Sequence, residues 1–247
     1  MAPPPLDRLP GFRRRFVITP GPGSVRSELE DDFHCMSVTL NHDAGVVTAV
    51  EPVMDRAPWT TCPGAVAQLK QTFAGLPLAG FASRGEKSAN CTHLYDLASL
   101  AAAHAEDREP LIYDILVSDP IEGRRHAELR RNGVVVMSLV HEDHRIVAPT
   151  AIAGLTLETL RPWIDRLGPV EQEAARLLRW GAMMANGRTI PLEQQSDATR
   201  MPPNCYTFQP QKAAVAQRVG KIFDFSTGTA QPLGNRQAAA RGQAAGA

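Results

Sequence analysis

The chain has 247 residues, of which 43% are hydrophobic and 21% are charged, and its formal net charge is zero. This length is sufficient to bury a sizeable core, and the composition is ordinary for a globular protein. Nucleic-acid-binding domains usually carry a clear basic excess, so the balanced charge argues against a nucleic-acid partner. The run Arg13-Arg14-Arg15 is only three charges long and is interpreted as a solvated terminal stretch.

The sequence contains no stretch near the roughly 18 consecutive apolar residues that a membrane-spanning helix needs. The N-terminus, Met1-Ala-Pro-Pro-Pro, does not have the charged and apolar regions of a secretory signal. We therefore expect a cytoplasmic protein without a membrane partner. The 4 cysteines are too sparse for a disulfide scaffold and would be reduced in the cytoplasm, which leaves them available as thiols, thiolates or metal ligands.

Both ends of the chain are predicted to be disordered. Residues 1–11 are rich in proline, and residues 224–247 are rich in glycine, alanine and glutamine without an apolar period. The region between them, residues 12–223, is predicted to form a single α+β domain with a mostly antiparallel sheet and about four helices.

The first half of this region predicts a β-hairpin followed by two helices. Alternating side chains from Phe33 to Met54 indicate the two strands, with a turn at Asn41–Gly45 and with His34, Met36, Val38 and Leu40 on the inward face. Proline is favoured at the first position of a helix, so one helix is expected from Pro63 to Phe73 with Cys62 near its N-cap. A second helix is expected to start at Asn90, a good N-cap, with Cys91 in its first turn.

The second half predicts a meander and then two more helices. Asn132-Gly133 is a strong hairpin signal between two predicted strands. The expected strands are Leu111–Val117, His126–Arg131, Val134–Val140 and Arg145–Ala148, and the expected helices are Leu157–Leu167 and Pro169–Ala185. The segment His141-Glu142-Asp143-His144 falls in a turn and is interpreted as charged and solvated.

Two cysteines at predicted helix starts are the main indication of chemistry. Unpaired N–H groups at a helix N-terminus stabilise negative charge, so Cys62 and Cys91 are expected to be biased toward thiolate. His93 follows Cys91 by two residues, and His34 points inward. A low-pKa cysteine beside a histidine is a usual arrangement for nucleophilic or acid–base catalysis.

The same residues allow other interpretations. Cys62, Cys91, His93 and His34 could together bind zinc or iron, although their spacing is not that of a known zinc motif. They could equally be a buried core without chemistry. Met36, Cys205 and Tyr206 are weaker candidates for substrate contact, the last two on a loop that packs back onto the body. No phosphate loop, Gly-x-Gly-x-x-Gly, Gly-x-Ser-x-Gly or His-Glu-x-x-His motif is present, which disfavours nucleotide-dependent enzymes and the common hydrolases.

The sequence also resembles a bacterial family of unknown function. The likeness rests on a His-x-Met strand (His34-Cys35-Met36), the step from Pro58 to Cys62, and Cys-Thr-His-Leu at 91–94 followed by a helix, and it covers roughly residues 30–105. The resemblance implies that His34, Cys62, Cys91 and His93 belong to one pattern, but it brings no established reaction. The family has a longer segment with a tryptophan and aspartates before the His-x-Met strand, which is shortened here to Pro20–Asp32.

We therefore expect a cofactor-independent enzyme of small-molecule catabolism, of the lyase, isomerase or hydrolase type. It would act on a hydrophobic substrate, aromatic compounds included, with catalytic residues His34, Cys62, Cys91 and His93. The first alternative is a protein that binds zinc, iron or an iron–sulfur cluster through the same four residues. The second is a non-catalytic interaction module. A homo-oligomer is compatible with each of these.

Overall fold

The computed structural model describes residues 5–220 and 222–234. In this part of the chain there are eight strands, β1 (Gly11–Gly21), β2 (Ser24–Asp31), β3 (Cys35–Asp43), β4 (Val46–Arg56), β5 (Leu111–Ser118), β6 (Arg124–Arg131), β7 (Val134–Glu142) and β8 (Arg145–Ala148). The five α-helices are α1 (Ala65–Phe73), α2 (Thr92–Ala103), α3 (Arg161–Ile164), α4 (Pro169–Ala185) and α5 (Pro210–Ala213). None of the helices in the described ranges has both the length and the apolar character needed to cross a membrane.

The strands are antiparallel and follow the order β4-β3-β2-β1-β5-β6-β7-β8, which confirms the predicted α+β class. The chain folds into two compact units. The hairpin unit consists of Phe16–Leu111 and Pro191–Ile222, and the meander unit consists of Met1–Arg15, Ile112–Ile190 and Phe223–Ala247.

The predicted division into one domain, 12–223, and two disordered ends stays a prediction. Short 3-10 turns occupy Leu6–Arg8 and Phe225–Thr227 within the two predicted ends. Residues 1–4 and 235–247 lie outside the described residues.

The hairpin unit contains the predicted β3–β4 hairpin, which is confirmed. Its turn is at Ala44 and Gly45, whose φ angles of 47° and 77° are those of the two-residue turns that suit the twist of a hairpin. The helix α2 packs on β2 and β3, and α1 packs on β4.

The sequence-based prediction missed β1 and β2. Along β2 the residues Val25, Ser27, Leu29 and Asp31 are buried and those between them are half-buried, which is the period of a strand with one face on the core. β2 also pairs with β3 along its length, from Ser24 opposite Asn41 to Glu30 opposite Cys35. Asp31 therefore ends a strand directly before the His34 turn.

The two helices predicted for the first part of the hairpin unit, α1 and α2, begin close to the predicted positions. Cys62 opens a 3-10 turn, Cys62–Gly64, that runs directly into α1. The N-cap of α2 is Cys91, whereas Asn90 was predicted. The buried side chain of Asn90 instead exchanges hydrogen bonds of 3.0 and 3.1 Å with the hydroxyl of Thr72 and donates to the carbonyl of Glu86, so it is not available as a cap.

The meander unit contains strands β5 to β8 and helix α4 close to the predicted positions, but the predicted helix Leu157–Leu167 is reduced to α3. The N–H of Leu157 donates to the carbonyl of His144, and Thr156 and Thr159 bond to each other's backbone and hydroxyl groups. These bonds hold the segment in turns, because local hydroxyl bonds compete with helical ones.

The interpretation of Arg13-Arg14-Arg15 as a solvated stretch is wrong. Arg13 and Arg14 are buried in β1. The guanidinium of Arg13 donates to the carbonyls of Leu6 and Leu9 at 2.7 and 2.6 Å. Arg15 forms a two-bond ion pair with Asp114, at 2.6 and 3.1 Å.

The interpretation of the His141–His144 turn as solvated is also wrong for His141, which is 1% exposed. Neither ring nitrogen of His141 has a hydrogen-bond partner within the described part of the chain. Burial lowers the pKa of His141 to about 4, and the positive charge of Arg125 adds to this effect. His144 is half-buried, and its ring bonds to Glu158 and Asn186.

Candidate functional site

The site begins at the turn between β2 and β3. Asp31 Oδ1 accepts hydrogen bonds from the backbone N–H groups of Phe33 and His34, each 2.7 Å long, and the N–H of Asp31 donates to the carbonyl of His34 at 2.9 Å. Arg56 at the end of β4 donates to the carbonyls of Asp31 and Asp32 and pairs with Glu30. The turn is therefore held from both sides.

The side chain of His34 is paired with the carboxylate of Asp31 inside this turn. His34 Nδ1 lies 3.0 Å from Oδ1 and 3.3 Å from Oδ2, with His34 4% exposed and Asp31 fully buried. Because the carboxylate is the acceptor for two backbone donors, it is assigned as acceptor for the ring as well. His34 then carries its proton on Nδ1, and Nε2 is left as a base.

His93 brings a second imidazole to this pair. It is the second residue of α2 and is half-buried, and its ring centroid lies 3.9 Å from that of His34 with an angle of 31° between the planes. One ligand atom from each of Asp31, His34 and His93 can be chosen so that all three lie within 4.8 Å of one another. We call these three residues the Asp–His–His cluster. The ring of His93 thus lies over the ring of His34, which is itself bonded to the buried Asp31 carboxylate.

The cysteines Cys62, Cys91 and Cys205 also belong to the hairpin unit. The hydroxyl of Thr207 donates to Cys62 Sγ at 3.3 Å, and the N–H of Tyr206 donates to the carbonyl of Asn90 at 2.9 Å. The loop that carries Cys205 is thus bonded to the turns that carry the other two cysteines. No cysteine belongs to the three-residue set of ligand atoms found among the described residues.

The expected bias of the cysteines toward thiolate is wrong. Burial raises the pKa of Cys62 and Cys205, and it raises the pKa of Cys91 to about 12. The N–H groups of His93 and Leu94 at the start of α2 lower the pKa of Cys91, but burial has the larger effect. These thiols are therefore neutral near pH 7 and can donate a hydrogen bond.

The predicted substrate-contact residues occupy different environments. Met36 is fully buried in β3. Tyr206 is half-buried and lies against Gly64, where an added Cβ would be 2.5 Å from the hydroxyl, and Lys212 Nζ lies 4.3 Å from the ring centroid. Their role as substrate contacts stays a prediction.

Two residues near the site were missed from the sequence. Asp31 could have been found, because it ends an alternating segment three residues before His34. Arg218 could not, since it is distant in sequence. Its guanidinium carbon lies 5.8 Å from the ring centroid of Phe33 and 5.3 Å from that of Trp59.

Comparison with known proteins supports the resemblance. Residues 22–106 match the model of the family described as "Protein of unknown function (DUF2889)". The matched segment includes the Asp–His–His cluster, Cys62 and Cys91, whereas Cys205 and Arg218 lie outside it. No curated protein matches the chain.

Proposed function

We propose that this protein is a cofactor-independent enzyme of small-molecule catabolism that moves a proton with the Asp–His–His cluster. The reaction would be of the lyase, isomerase or hydrolase type. The proposal rests on the buried Asp31–His34 pair, in which a carboxylate holds the ring in one tautomer and can stabilise its charged form. A cytoplasmic location would keep all four cysteines free, as they are in the structure.

Each member of the site is given a distinct role. His34 Nε2 is the base that takes the proton, and Asp31 orients it. His93, the more exposed ring, exchanges the proton with substrate or solvent. Cys62 and Cys91 polarise the substrate as neutral hydrogen-bond donors, which is one of the two roles expected for them; the other was attack as nucleophiles.

The surroundings of the cluster support a hydrophobic substrate, aromatic compounds included. The ring of Phe33 lies edge-on to that of His34, with centroids 6.2 Å apart. Trp59 is near the turn that carries Cys62, whose N–H donates to the carbonyl of Trp59 at 3.1 Å. Aromatic side chains with a few polar groups are typical of small-molecule sites.

Proton exchange into a panel of aromatic and aliphatic carbonyl compounds in D₂O, followed by NMR, tests the proposal. Wild-type protein is expected to exchange the hydrogen next to the carbonyl of at least one compound. His34→Gln should reduce the rate by roughly 10²–10⁴-fold, the usual contribution of a positioned base. Asp31→Asn and His93→Gln should also reduce it.

The control for this experiment is His104→Gln. His104 Nδ1 also pairs with an aspartate three residues away, Asp107, but this aspartate is exposed. The control variant should keep the wild-type rate. The proposal is wrong if folded His34→Gln and His93→Gln variants exchange as fast as wild type.

Metal binding is the second candidate, and the 4.8 Å grouping of Asp31, His34 and His93 favours it. One carboxylate and two imidazoles suit zinc or iron, and the group of ligand atoms contains Asp31 in place of the cysteines of the predicted set. Elemental analysis of the native protein tests this candidate. Stoichiometric zinc or iron that is lost in His34→Gln but kept in Cys62→Ser would establish it, and metal-free protein with full activity would refute it.

A further inference from the structure

Arg218 is held in a fixed position beside the site. The N–H of Thr60 donates to the carbonyl of Gln217, and the N–H of Val219 donates to the carbonyl of Pro58, each at 3.0 Å. These two bonds flank Arg218 and fix its backbone next to the turn that leads to Cys62.

The side chain of Arg218 lies near two aromatic rings. Its guanidinium is half-buried and within cation–π distance of both Phe33 and Trp59. Burial lowers the pKa of Arg218, and the nearby Cys62 would raise it if ionised.

The guanidinium of Arg218 has no anionic partner among the residues that the structure describes, and no protein acceptor bonds to its N–H groups there. Arg56, on the same unit, pairs with Glu30 at 3.0 Å. A partly desolvated charge without a partner is costly, and a cation–π contact offsets only part of that cost. An anionic ligand would complete the hydrogen bonding of this side chain.

The position of Arg218 relates it to the Asp–His–His cluster. The ring centroid of Phe33 lies 5.8 Å from the guanidinium carbon of Arg218 and 6.2 Å from the ring centroid of His34. A ligand that spans the ring of Phe33 could reach the guanidinium of Arg218 and the base of His34 together.

We propose that Arg218 binds the carboxylate of the substrate, which is a small organic acid with an aromatic or other apolar frame. This inference rests on the proposed function and specifies its substrate class. The guanidinium presents a planar fork of donors that matches a carboxylate. One unpaired cation balances a monoanion, which favours a carboxylate over a doubly charged phosphate ester.

Calorimetric titration of the wild-type protein with benzoate, phenylacetate and cinnamate tests the inference, with benzamide and phenyl phosphate as comparisons. At least one acid should bind, and benzamide should not. Arg218→Gln should weaken binding of that acid by roughly 10- to 100-fold, the range expected for charge-assisted hydrogen bonds. Arg218→Lys keeps the charge without the planar fork and should bind several-fold more weakly than wild type.

Arg200→Gln is the matched control, because Arg200 is exposed on the same unit and should leave the affinity unchanged. The inference is overturned if no acid binds, if benzamide binds as well as benzoate, if phenyl phosphate binds more tightly, or if Arg218→Gln or Arg218→Lys keeps wild-type affinity.

One further variant separates this inference from the proposed function. His34→Gln should still bind the acid, since it leaves Arg218 in place. If an acid binds in a way that depends on Arg218 but no proton exchange depends on His34, the carboxylate site at Arg218 is supported and the proposed enzymatic function is refuted. If proton exchange depends on His34 but is unchanged in Arg218→Gln, the proposed enzymatic function is supported and the carboxylate site at Arg218 is refuted.

Discussion

Asp31 serves the fold and the site with the same oxygen. Oδ1 accepts from two backbone N–H groups of the β2–β3 turn and also faces the ring of His34. Removing the carboxylate would leave three buried donors without their acceptor, and each such loss costs about 1–3 kcal/mol.

Asp31→Ala is therefore expected to lower the free energy of unfolding by about 3 kcal/mol or more, whereas Asp31→Asn, which keeps an acceptor oxygen, should lower it by only about 1 kcal/mol. Urea unfolding measures both. Asp107→Ala removes the exposed partner of His104 and should cost less than about 1 kcal/mol, as exposed pairs usually do. Equal losses in the two Asp31 variants would contradict this account of the turn.

His141 makes a separate prediction about acid stability. In the unfolded chain a histidine has its ordinary pKa of 6.5, and in the folded protein burial lowers the pKa of His141 to about 4. Between these values the unfolded state binds more protons. The stability that comes from the neutral ring is complete above pH 6.5 and is lost as the pH falls toward 4, by about 3 kcal/mol.

His141→Leu should remove this part of the acid sensitivity and should cost little at pH 7, because it also removes two buried nitrogens without partners among the described residues. Unfolding curves from pH 7 to pH 4 measure the effect. His144→Gln is the comparison: the charge of His144 also lowers the pKa of His141 but less than burial does, so this variant should keep most of the acid loss of the wild type. An unchanged acid loss in His141→Leu would show that other groups cause it.

Between elements, β1 and β5 approach each other closely at Gly11. A Cβ at this position would lie 2.1 Å from the carbonyl oxygen of Val117 and 2.8 Å from the Cα of Ser118. Both neighbours are backbone atoms of a paired strand and cannot move without breaking hydrogen bonds.

Gly11→Ala is thus expected to destabilise the meander unit by about 2 kcal/mol or more, in the range of overpacked cores. Thermal unfolding measures the loss. Gly80→Ala is the matched control, because the nearest atom to its Cβ would be Pro77 Cδ at an ordinary 3.8 Å. A stable Gly11→Ala variant would mean that the two strands can separate locally at no cost.

A comparison of the predicted and observed strands and helices shows which parts of the fold are determined by local sequence. β8 and α4 were predicted to the residue, because turn residues or proline mark their boundaries. β1 was missed because charged side chains were assumed to face water, whereas Arg13 bonds to buried carbonyls and Arg15 to Asp114. Such partners are set by tertiary structure, which no local pattern records.

At the scale of the whole molecule, the hairpin unit is assembled from two distant parts of the chain. Trp59 and Cys62 from the first part pack with Ala198 and Ala213 from the second. This small apolar cluster lies beside the turn that carries Cys62, so the position of that thiol depends on the docking of Pro191–Ile222.

Ala213→Asp should disrupt this cluster, because it buries a charge without a partner. In a Trp163→Phe, Trp180→Phe background, Trp59 is the sole tryptophan, and its emission should shift to longer wavelength as Cys62 becomes more reactive to thiol reagents. Ala214→Asp, at the exposed neighbouring position, should change neither signal. Unchanged emission in Ala213→Asp would show that the segment docks without this cluster.

The same assembly explains how much of the site the sequence could predict. His34 and His93 were predicted as members of one site and their rings are in contact. Asp31 is local to His34 and was within reach of the pattern. Arg218 and Thr207 lie near the site only because the segment Pro191–Ile222 packs against the first part of the hairpin unit. Their positions in the sequence do not indicate this packing.

The assembly of the hairpin unit from two distant parts of the chain has a consequence for synthesis on the ribosome. The Asp–His–His cluster lies within the first part of the hairpin unit and is translated early. Arg218 and the loop around Thr207 emerge only after the whole of Ile112–Ile190 has been made. During that interval Trp59 and Cys62 would have no cover from Ala198 and Ala213, so the nascent chain exposes an apolar surface and a thiol that the finished protein conceals.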